Sequence, residues 1–336
     1  MAKVTVLGAG AWGVALGVLL AENGNDVTMW TLLEKEADML INDRENKISL
    51  PGVKIPEKIK ITTDIDEAVS DRDIIVLATA SRFIRSTAAN LKGKIRDNQI
   101  IVNVAKGIEE STLMTMTDII NQELPGCDAT VLSGPSHAEE VGRGLPTTCV
   151  VGAKTAKTAK FIQDVFMNNR FRVYTSPDIL GIELGGSLKN VIALAAGMAD
   201  GIGCGDNTKA ALITRGMAEI TRLGLAMGGK AETFGGLSGI GDLIVTCASV
   251  YSRNRKAGVL IGQGMTMDEA MKEVNQVVEG VYSAKAAMLL AKKYNVSMPI
   301  VEQVNLVLFE NKSVKEGLED LMVRNKTTEI VVDNWN

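Results

Sequence analysis

A glycine pattern close to the N-terminus constrains the fold of this 336-residue chain more than any other feature. Gly8, Gly10 and Gly13 match the spacing G-x-G-x-x-G, directly after the β-rich run Lys3–Leu7 and at the start of the helical run Trp12–Asn23. In such a strand–turn–helix, the glycines let the backbone approach a pyrophosphate, and the free N–H groups of the helix bind it. The pattern therefore predicts a dinucleotide-binding loop, with a glycine turn that binds nothing as the alternative.

Short apolar runs and helical patterns alternate through the first half of the chain. The runs are apolar on consecutive residues, which is typical of parallel strands covered on both faces. The alternation predicts a doubly wound parallel sheet of the Rossmann type. The predicted strands are Lys3–Leu7, Asp26–Trp30, Ile74–Ala78, Ile100–Val104 and Ala129–Leu132, with Thr147–Val151 and Phe171–Tyr174 as extensions. The predicted helices are Trp12–Asn23, closed by Gly24, Ser111–Glu123 and Lys157–Met167.

After Pro177 nearly every periodic segment is helical. Thr208–Met227 is amphipathic, and Thr266–Glu269 and Ser313–Glu316 match the capping box that starts a helix. Pro299 is suited to the first turn of another helix. The second half of the chain is therefore predicted to be all-helical.

These two patterns predict the fold class: α/β, with an N-terminal Rossmann-like doubly wound parallel sheet followed by an all-helical C-terminal domain. A length of 336 residues accommodates two domains of about 150 residues each. We expect the dinucleotide-binding domain over residues 1–185 and the helical substrate and catalytic domain over residues 186–332.

Composition excludes several kinds of site. The single histidine, His137, rules out zinc enzymes built on two or three His ligands and any His–His acid–base pair. The four cysteines form no C-x-x-C, so no metal site is expected. A net charge of −4, with only 3 Trp, 4 Tyr and 6 Phe, argues against a nucleic-acid partner.

No signal peptide or membrane span is expected. One lysine, Lys3, is followed directly by a strand-like run and the glycine motif, which is not the layout of a signal peptide. The most apolar later stretch, Val191–Gly203, is too short to cross a bilayer and contains Asp200. The sequence thus predicts a soluble, cytoplasmic protein.

Lys189 lies where a lysine is costly. Between Ile179 and Ala199 only Glu183 and Lys189 are charged, and a helix this apolar is normally buried. A buried lysine has to reach a surface, pair with a carboxylate or face a polar cavity, and desolvation lowers its pKa toward the range useful for proton transfer. An ordinary solvated lysine is the alternative.

Two further cations complete a candidate anion site. Lys106 follows the apolar run Ile100–Val104, at the carboxyl end of a predicted parallel strand, where ligands of such sheets bind. Arg253, between Ser252 and Asn254, can form several charge-assisted hydrogen bonds to a phosphate or carboxylate, although a solvated turn would have the same sequence. If these cations lie together near the glycine loop, they favour a small anionic substrate.

The end of the second predicted strand bears on which dinucleotide binds. Rossmann folds commonly hold the ribose 2′-hydroxyl with an acid about 20 residues beyond the glycine loop, and Glu34 occupies that region. No arginine is present at positions 31–34 to meet a 2′-phosphate. NADH is therefore favoured over NADPH.

Taken together, the motifs resemble the bacterial NAD(P)-dependent glycerol-3-phosphate dehydrogenases over essentially the whole chain. The glycine loop alone is shared by many dehydrogenases, whereas the spaced set with Lys106, Lys189, Asp242 and Arg253 is much more specific. The motifs that carry the resemblance are Gly8–Gly13, Val104–Gly107, Leu132–Val141, Gly185–Asn190, Gly239–Leu243, Ser252–Asn254 and Val277–Gly280.

The resemblance implies interconversion of dihydroxyacetone phosphate and sn-glycerol 3-phosphate with NADH or NADPH, feeding phospholipid synthesis. It makes Lys189 the proton donor to the ketone oxygen and Asp242 the residue that orients Lys189. We also expect a homodimer. The implied substrate contacts are Lys106, Gly134, Ser136, Lys189, Asp242, Ser252, Arg253 and Asn254, and the implied cofactor contacts are Gly8, Gly10, Ala11, Trp12, Gly13, Lys106, Ala138, Arg253, Val277 and Glu279.

The chain departs from the family pattern at a few cofactor positions. Position 11, commonly serine, is Ala11, and Leu32, Leu33 and Ser49 replace the His, Arg and Tyr residues of many members. No cofactor role is transferred to those last three positions.

Two other functions remain open: a Rossmann-type dehydrogenase of another small hydroxy acid or phosphorylated sugar, and a dinucleotide-binding module without turnover. The module leaves the apolar surroundings of Lys189 unexplained.

Overall fold

The computed structural model describes residues 1–326 and 328–329, which form an eight-stranded sheet followed by helices. The strands are β1 (Lys3–Leu7), β2 (Asp26–Trp30), β3 (Lys60–Thr62), β4 (Ile74–Leu77), β5 (Ile100–Asn103), β6 (Asp128–Ser133), β7 (Thr147–Gly152) and β8 (Phe171–Ser176). The helices of the sheet region are α1 (Ala11–Glu22), α2 (Glu34–Asp43), α3 (Ile65–Val69), α4 (Ile84–Ala89), α5 (Met116–Glu123), α6 (Ala138–Gly142) and α7 (Ala156–Phe166).

Nine further helices follow the sheet within the described residues. They are α8 (Ile179–Gly201), α9 (Asp206–Ala226), α10 (Ala231–Phe234), α11 (Asp242–Ala248), α12 (Arg253–Gly262), α13 (Met267–Val274), α14 (Glu279–Lys293), α15 (Pro299–Phe309) and α16 (Val314–Met322). Two single turns of helix are also present, Ser81–Phe83 after β4 and Leu237–Gly241 before α11.

The strand order is β3-β2-β1-β4-β5-β6-β7-β8. Every neighbouring pair is parallel except β6 and β7, which run antiparallel. Helices cover both faces, because α1 and α7 pack in one apolar cluster and α4 and α5 in another. The predicted fold class, an α/β sheet followed by an all-helical region, is confirmed.

Two details of the sheet differ from the prediction. The sequence indicated a wholly parallel sheet, and it gave no indication of β3. A fully buried apolar run has the same composition whichever direction its neighbour takes, so the antiparallel pair leaves no trace in the pattern. β3 has only three residues, none of them fully buried, and is too short for an alternation to be recognised.

Capping residues explain where several helices begin. The two predicted capping boxes form at the starts of α13 and α16, and the predicted proline is the first residue of α15. The helix predicted from Ser111 begins instead at Met116, because Thr115 and Asp118 form a third capping box there.

Helix α8 is the central helix of the second region, and every residue from Gly181 to Ala199 in it is buried. It has 23 residues and is long and apolar enough to span a bilayer, whereas the shorter stretch named from the sequence is not. The predicted segment Val191–Gly203 covers only the second half of the helix. Since 89% of its most apolar window lies inside the protein, its apolar surface is covered by other parts of the fold.

A seam of glycines joins α8 to α12. Gly197 and Gly201 in α8, and Gly258 and Gly262 in α12, each lie where a Cβ atom would collide with a backbone carbonyl oxygen of the other helix. The two backbones therefore touch along the seam. Because α12 begins at Arg253, this contact fixes the position of that arginine relative to α8.

The predicted domain boundary between residues 185 and 186 falls inside α8 and stays a prediction. We propose that the division lies at Asp178, whose side chain accepts the Gly181 N–H and caps the helix. The predicted end of the helical domain, residue 332, lies outside the described residues.

The glycine seam predicts a large effect of one methyl group. Gly258→Ala should destabilise the protein by about 1–3 kcal/mol, because the helices have to separate to admit the new Cβ atom. The measurement is urea unfolding followed by circular dichroism. Gly235→Ala is the control, since its Cβ atom would lie 3.7 Å from the nearest neighbour, the Glu232 carbonyl oxygen. Equal stability of the two variants would contradict the close backbone contact between α8 and α12.

Candidate active site

A cleft of about 470 Å³ lies between the carboxyl edge of the sheet and the helical region. Its walls come from the loops after β1, β4, β5 and β6, and from α8, α11, α12 and the start of α14. Ligands of open α/β sheets bind at this edge. The predicted binding residues that line the cleft are Gly10, Ala11, Trp12, Lys106, Ser136, Ala138, Lys189, Ser252, Arg253, Asn254, Val277 and Glu279.

The other predicted residues support the wall rather than line it. Gly8 has φ +114°, and a Cβ atom there would lie 2.8 Å from the backbone of Ala78. A Cβ atom at Gly13 would collide with the carbonyl oxygen of Gly8. Gly134 has φ +139°, and its carbonyl oxygen accepts a hydrogen bond from Lys106.

The glycine loop fits a pyrophosphate. Gly10 is the N-cap of α1, no side chain caps this 12-residue helix, and nothing lies within 4 Å of the place where a Cβ atom of Gly10 would be. The N–H groups of the first turn are therefore available to phosphate oxygens, and the backbone can approach them closely. These residues suit the dinucleotide that the sequence predicts.

Two lysines share one buried carboxylate at the cleft. Lys189 of α8 donates hydrogen bonds to Asp242 and to Thr246 Oγ1, the latter 2.6 Å away. The other carboxylate oxygen of Asp242 accepts a hydrogen bond from Lys106 Nζ at 2.7 Å. The Asp242 side chain is 1% exposed, so its charge is balanced by the two ammonium groups rather than by water.

Burial brings the pKa of Lys189 close to neutral pH. Its side chain is 6% exposed, so it is not an ordinary solvated lysine. Burial lowers the pKa of Lys189 to about 7, a change that Asp242 opposes and that the positive charge of Lys106 reinforces. A group with this pKa can donate a proton in one direction of a reaction and accept it in the other.

The predicted anion-binding residues sit at the start of α12. Ser252 caps the helix, because its Oγ accepts the Arg255 N–H at 3.2 Å. Asn254 donates to Asn190 Oδ1 at 2.9 Å and accepts the Gly280 N–H at 2.8 Å. These bonds orient the Asn254 amide and leave its second hydrogen for a ligand.

Glu279 connects the helical region to the sheet across the cleft. It is the first residue of α14, and its carboxylate accepts hydrogen bonds from both the N–H, at 3.0 Å, and the hydroxyl of Ser81. Burial raises the pKa of Glu279. The contact fixes the segment that contains Val277 against the loop after β4.

Comparison with known proteins places this chain in a family. Residues 3–159 match the N-terminal part of the NAD-dependent glycerol-3-phosphate dehydrogenases, and residues 178–319 match the C-terminal part. The chain belongs to this family.

Similar proteins and a solved structure agree with the family assignment. The NAD(P)+-dependent glycerol-3-phosphate dehydrogenase of Agathobacter rectalis is 62% identical over 335 residues, with 100% of both chains covered. That of Fusobacterium nucleatum is 61% identical, covering 98% of this chain and 99% of its own. The crystal structure of the glycerol-3-phosphate dehydrogenase from Coxiella burnetii superposes with a TM-score of 0.93 at 34% identity, covering 96% of this chain and 99% of that one.

Several residues that support the predicted site were not themselves predicted from the sequence. Thr246, Asn190 and Ser81 each bond a predicted residue, but nothing in their local sequence distinguishes them from other polar residues. Thr246 lies four residues after Asp242 on α11, a helical spacing that indicates a shared face once Asp242 is chosen.

The lone histidine also lines the cleft. Burial, followed by the charges of Lys189 and Lys106, lowers the pKa of His137 to about 4, so the imidazole is neutral at neutral pH. Its ring lies 6.0 Å from that of Tyr251.

The shared carboxylate predicts a coupled effect on stability. Asp242→Asn should destabilise the protein by about 3 kcal/mol, because both lysines lose their buried counter-charge. The double variant Asp242→Asn/Lys189→Met should recover part of the loss, since one unpaired charge is removed with its partner. Both values come from urea unfolding at neutral pH. A double variant less stable than Asp242→Asn alone would refute this electrostatic coupling.

Proposed function

We propose that this protein is an NAD(P)-dependent oxidoreductase that interconverts dihydroxyacetone phosphate and sn-glycerol 3-phosphate. The observation that carries the proposal is the buried Lys189–Asp242 pair on the cleft that also contains the glycine loop. Family membership supports the same substrate, because relatives named glycerol-3-phosphate dehydrogenase match this chain over essentially their whole length.

The cations of the cleft suit a small phosphorylated ketone. Arg253, with Ser252 and Asn254 beside it, would hold the phosphate through charge-assisted hydrogen bonds. Lys106 would contact the substrate from the sheet region. Its Nζ donates a hydrogen bond to the Gly134 carbonyl oxygen at 3.0 Å. Ser136 lies 3.5 Å from the same Nζ. Phosphate binding away from the ketone would orient the reacting carbon.

Lys189 would supply and remove the proton. A bound dinucleotide would supply a hydride to the ketone carbon, and negative charge would then develop on the ketone oxygen. Lys189 Nζ would neutralise this charge by donating a proton, a contribution of about 10²–10⁴-fold for general acid catalysis. Asp242 favours the ammonium form and fixes its direction. In the oxidation direction the neutral amine would accept the hydroxyl proton.

The dinucleotide would lie along the cleft from the glycine loop to α14. Gly8, Gly10 and Gly13 shape the pyrophosphate site, as described above. The residues that would contact the rest of the cofactor are Ala11, Trp12, Lys106, Ala138, Arg253, Val277 and Glu279.

We also propose that NADH is preferred over NADPH. Glu34, the predicted partner of the ribose 2′-hydroxyl, is an exposed residue at the first position of α2. Glu34 and Glu36 line a pocket that adjoins the cleft through Ile48 and Ser49. Glu36 accepts a hydrogen bond from Asn46, which also donates to the Ala9 carbonyl oxygen of the glycine loop. Two carboxylates against one cation, Lys35, disfavour a 2′-phosphate.

Three wider expectations remain proposals. The reaction would supply glycerophospholipid synthesis, and the protein would act in the cytoplasm as a homodimer. The alternative of another Rossmann-type dehydrogenase, acting on a small hydroxy acid or a phosphorylated sugar, is disfavoured by the match of both halves of the chain to one family. The alternative of a binding module without turnover is disfavoured by the buried, partly neutral Lys189.

An absorbance assay at 340 nm tests the reaction directly. We expect oxidation of NADH with dihydroxyacetone phosphate, slower oxidation of NADPH, and little with unphosphorylated dihydroxyacetone. Arg253→Ala should raise the KM for dihydroxyacetone phosphate more than it lowers kcat, because it removes binding at a group remote from the reacting carbon.

Each arm of this assay has a distinct contrary outcome. No turnover of dihydroxyacetone phosphate, with NADH still bound, would favour a binding module. Equal turnover of unphosphorylated ketones would favour another dehydrogenase. A clear NADPH preference would contradict the role of the carboxylates on α2, and an unchanged KM in Arg253→Ala would contradict the phosphate assignment.

A further inference from the structure

We infer that Glu183 is a positioning residue for Lys106, the lysine that would contact the substrate; the inference rests on the proposed function. Glu183 lies on the same helix as Lys189, and its side chain is buried although the proposed reaction does not use it. Burying a carboxylate is costly unless hydrogen bonds satisfy it. The groups that bond to Glu183 therefore indicate what it holds in place.

The bonds of Glu183 lead to the loop after β5. Its Oε1 accepts the Thr117 N–H at 2.9 Å and Asn103 Nδ2 at 3.4 Å, and its Oε2 accepts the Thr117 hydroxyl. Asn103 is the last residue of β5. The same Nδ2 donates to the Ala105 carbonyl oxygen at 3.0 Å, and Asn103 Oδ1 accepts the Ala105 N–H at 3.1 Å. Glu183 thus orients an amide that fixes both backbone groups of the residue before Lys106.

Helix α8 also holds the residue after Lys106. Ser187, one turn beyond Glu183 on the same face, donates its hydroxyl to the Gly107 carbonyl oxygen at 3.0 Å. Between them, Gly186 lies beside the stem of Lys106, whose Cγ is 3.5 Å from where a Cβ atom would be, an ordinary contact distance. One face of α8 therefore fixes the loop on both sides of Lys106, while Asp242 fixes its ammonium group.

Helix capping alone does not explain Glu183. The capping box of Thr115 and Asp118 starts α5, and Glu183 adds a partner for the Thr117 N–H, but its bond to Asn103 lies outside that helix and serves the loop after β5. Glu219 provides the contrast. It is equally buried and accepts the N–H groups of Ile300 and Val301 at the start of α15, where no N-cap side chain does so.

The matched pair of carboxylates makes the inference testable. Glu183→Ala should raise the KM for dihydroxyacetone phosphate about tenfold with a smaller change in kcat, because Lys106 is no longer held in place. Glu183→Gln should restore the KM, since an amide of the same shape can accept both N–H groups and pair with the Thr117 hydroxyl. Asn103→Ala should reproduce the KM effect, and it decides the question if Glu183→Ala does not fold.

Hydrogen exchange of the free protein gives a readout that needs no activity. Mass spectrometry should show faster exchange of the amides of residues 105–107 in Glu183→Ala and in Asn103→Ala. Glu219→Ala, the control, should lower the free energy of unfolding and speed exchange at residues 300–301, while leaving the KM and the 105–107 amides as in the wild type.

The contrary results are equally definite. The inference is overturned if Glu183→Ala or, should that variant not fold, Asn103→Ala keeps a KM within about twofold of that of Glu219→Ala, or leaves exchange at residues 105–107 unchanged. If the wild type does not turn over dihydroxyacetone phosphate, the proposed function fails, and the exchange comparison still decides whether Glu183 holds the loop.

Discussion

The charge of Lys189 is buried, and a single carboxylate compensates for it. Desolvation disfavours the ammonium form, the Asp242 carboxylate favours it, and the balance places the pKa of Lys189 near 7. Lys106 shares the same carboxylate, so the lysines of the sheet region and the helical region are joined through one aspartate. The geometry of the cleft therefore depends on how closely the segment that carries Asp242 approaches α8.

Close backbone packing produces that approach. A Cβ atom at Gly185 would lie 2.6 Å from the Ser238 carbonyl oxygen, so the turn before Asp242 packs directly on α8. The glycine seam brings α12, with Arg253 at its start, to the far part of the same helix. A helix that is apolar on nearly all sides thus serves as the common support for Lys189, the proposed proton donor, for its carboxylate partner and for the proposed phosphate site.

Local sequence was enough to predict seven of the eight strands, several of the helices and the glycine loop. The strands around the loop and the burial of Lys189 follow from apolar runs, which report burial directly. The pairing of Lys189 with Asp242 does not follow, because the two residues are 53 positions apart and only the tertiary fold brings them together. Resemblance to a family supplied that pair. The contacts of Ser81 and Glu183 were missed for the same reason, since their partners are 198 and 66 positions away.

If Lys189 carries the proton, kcat should change with pH in opposite directions for reduction and for oxidation. Reduction needs the ammonium form, so its rate should fall as the pH rises through about 7, while oxidation, which needs the neutral amine, should rise over the same range. Lys189→Met should bind NADH, detected by fluorescence, and lose most of kcat in both directions. If this variant retains more than about a tenth of the wild-type kcat, or keeps the same opposed pH dependence, Lys189 does not carry the proton.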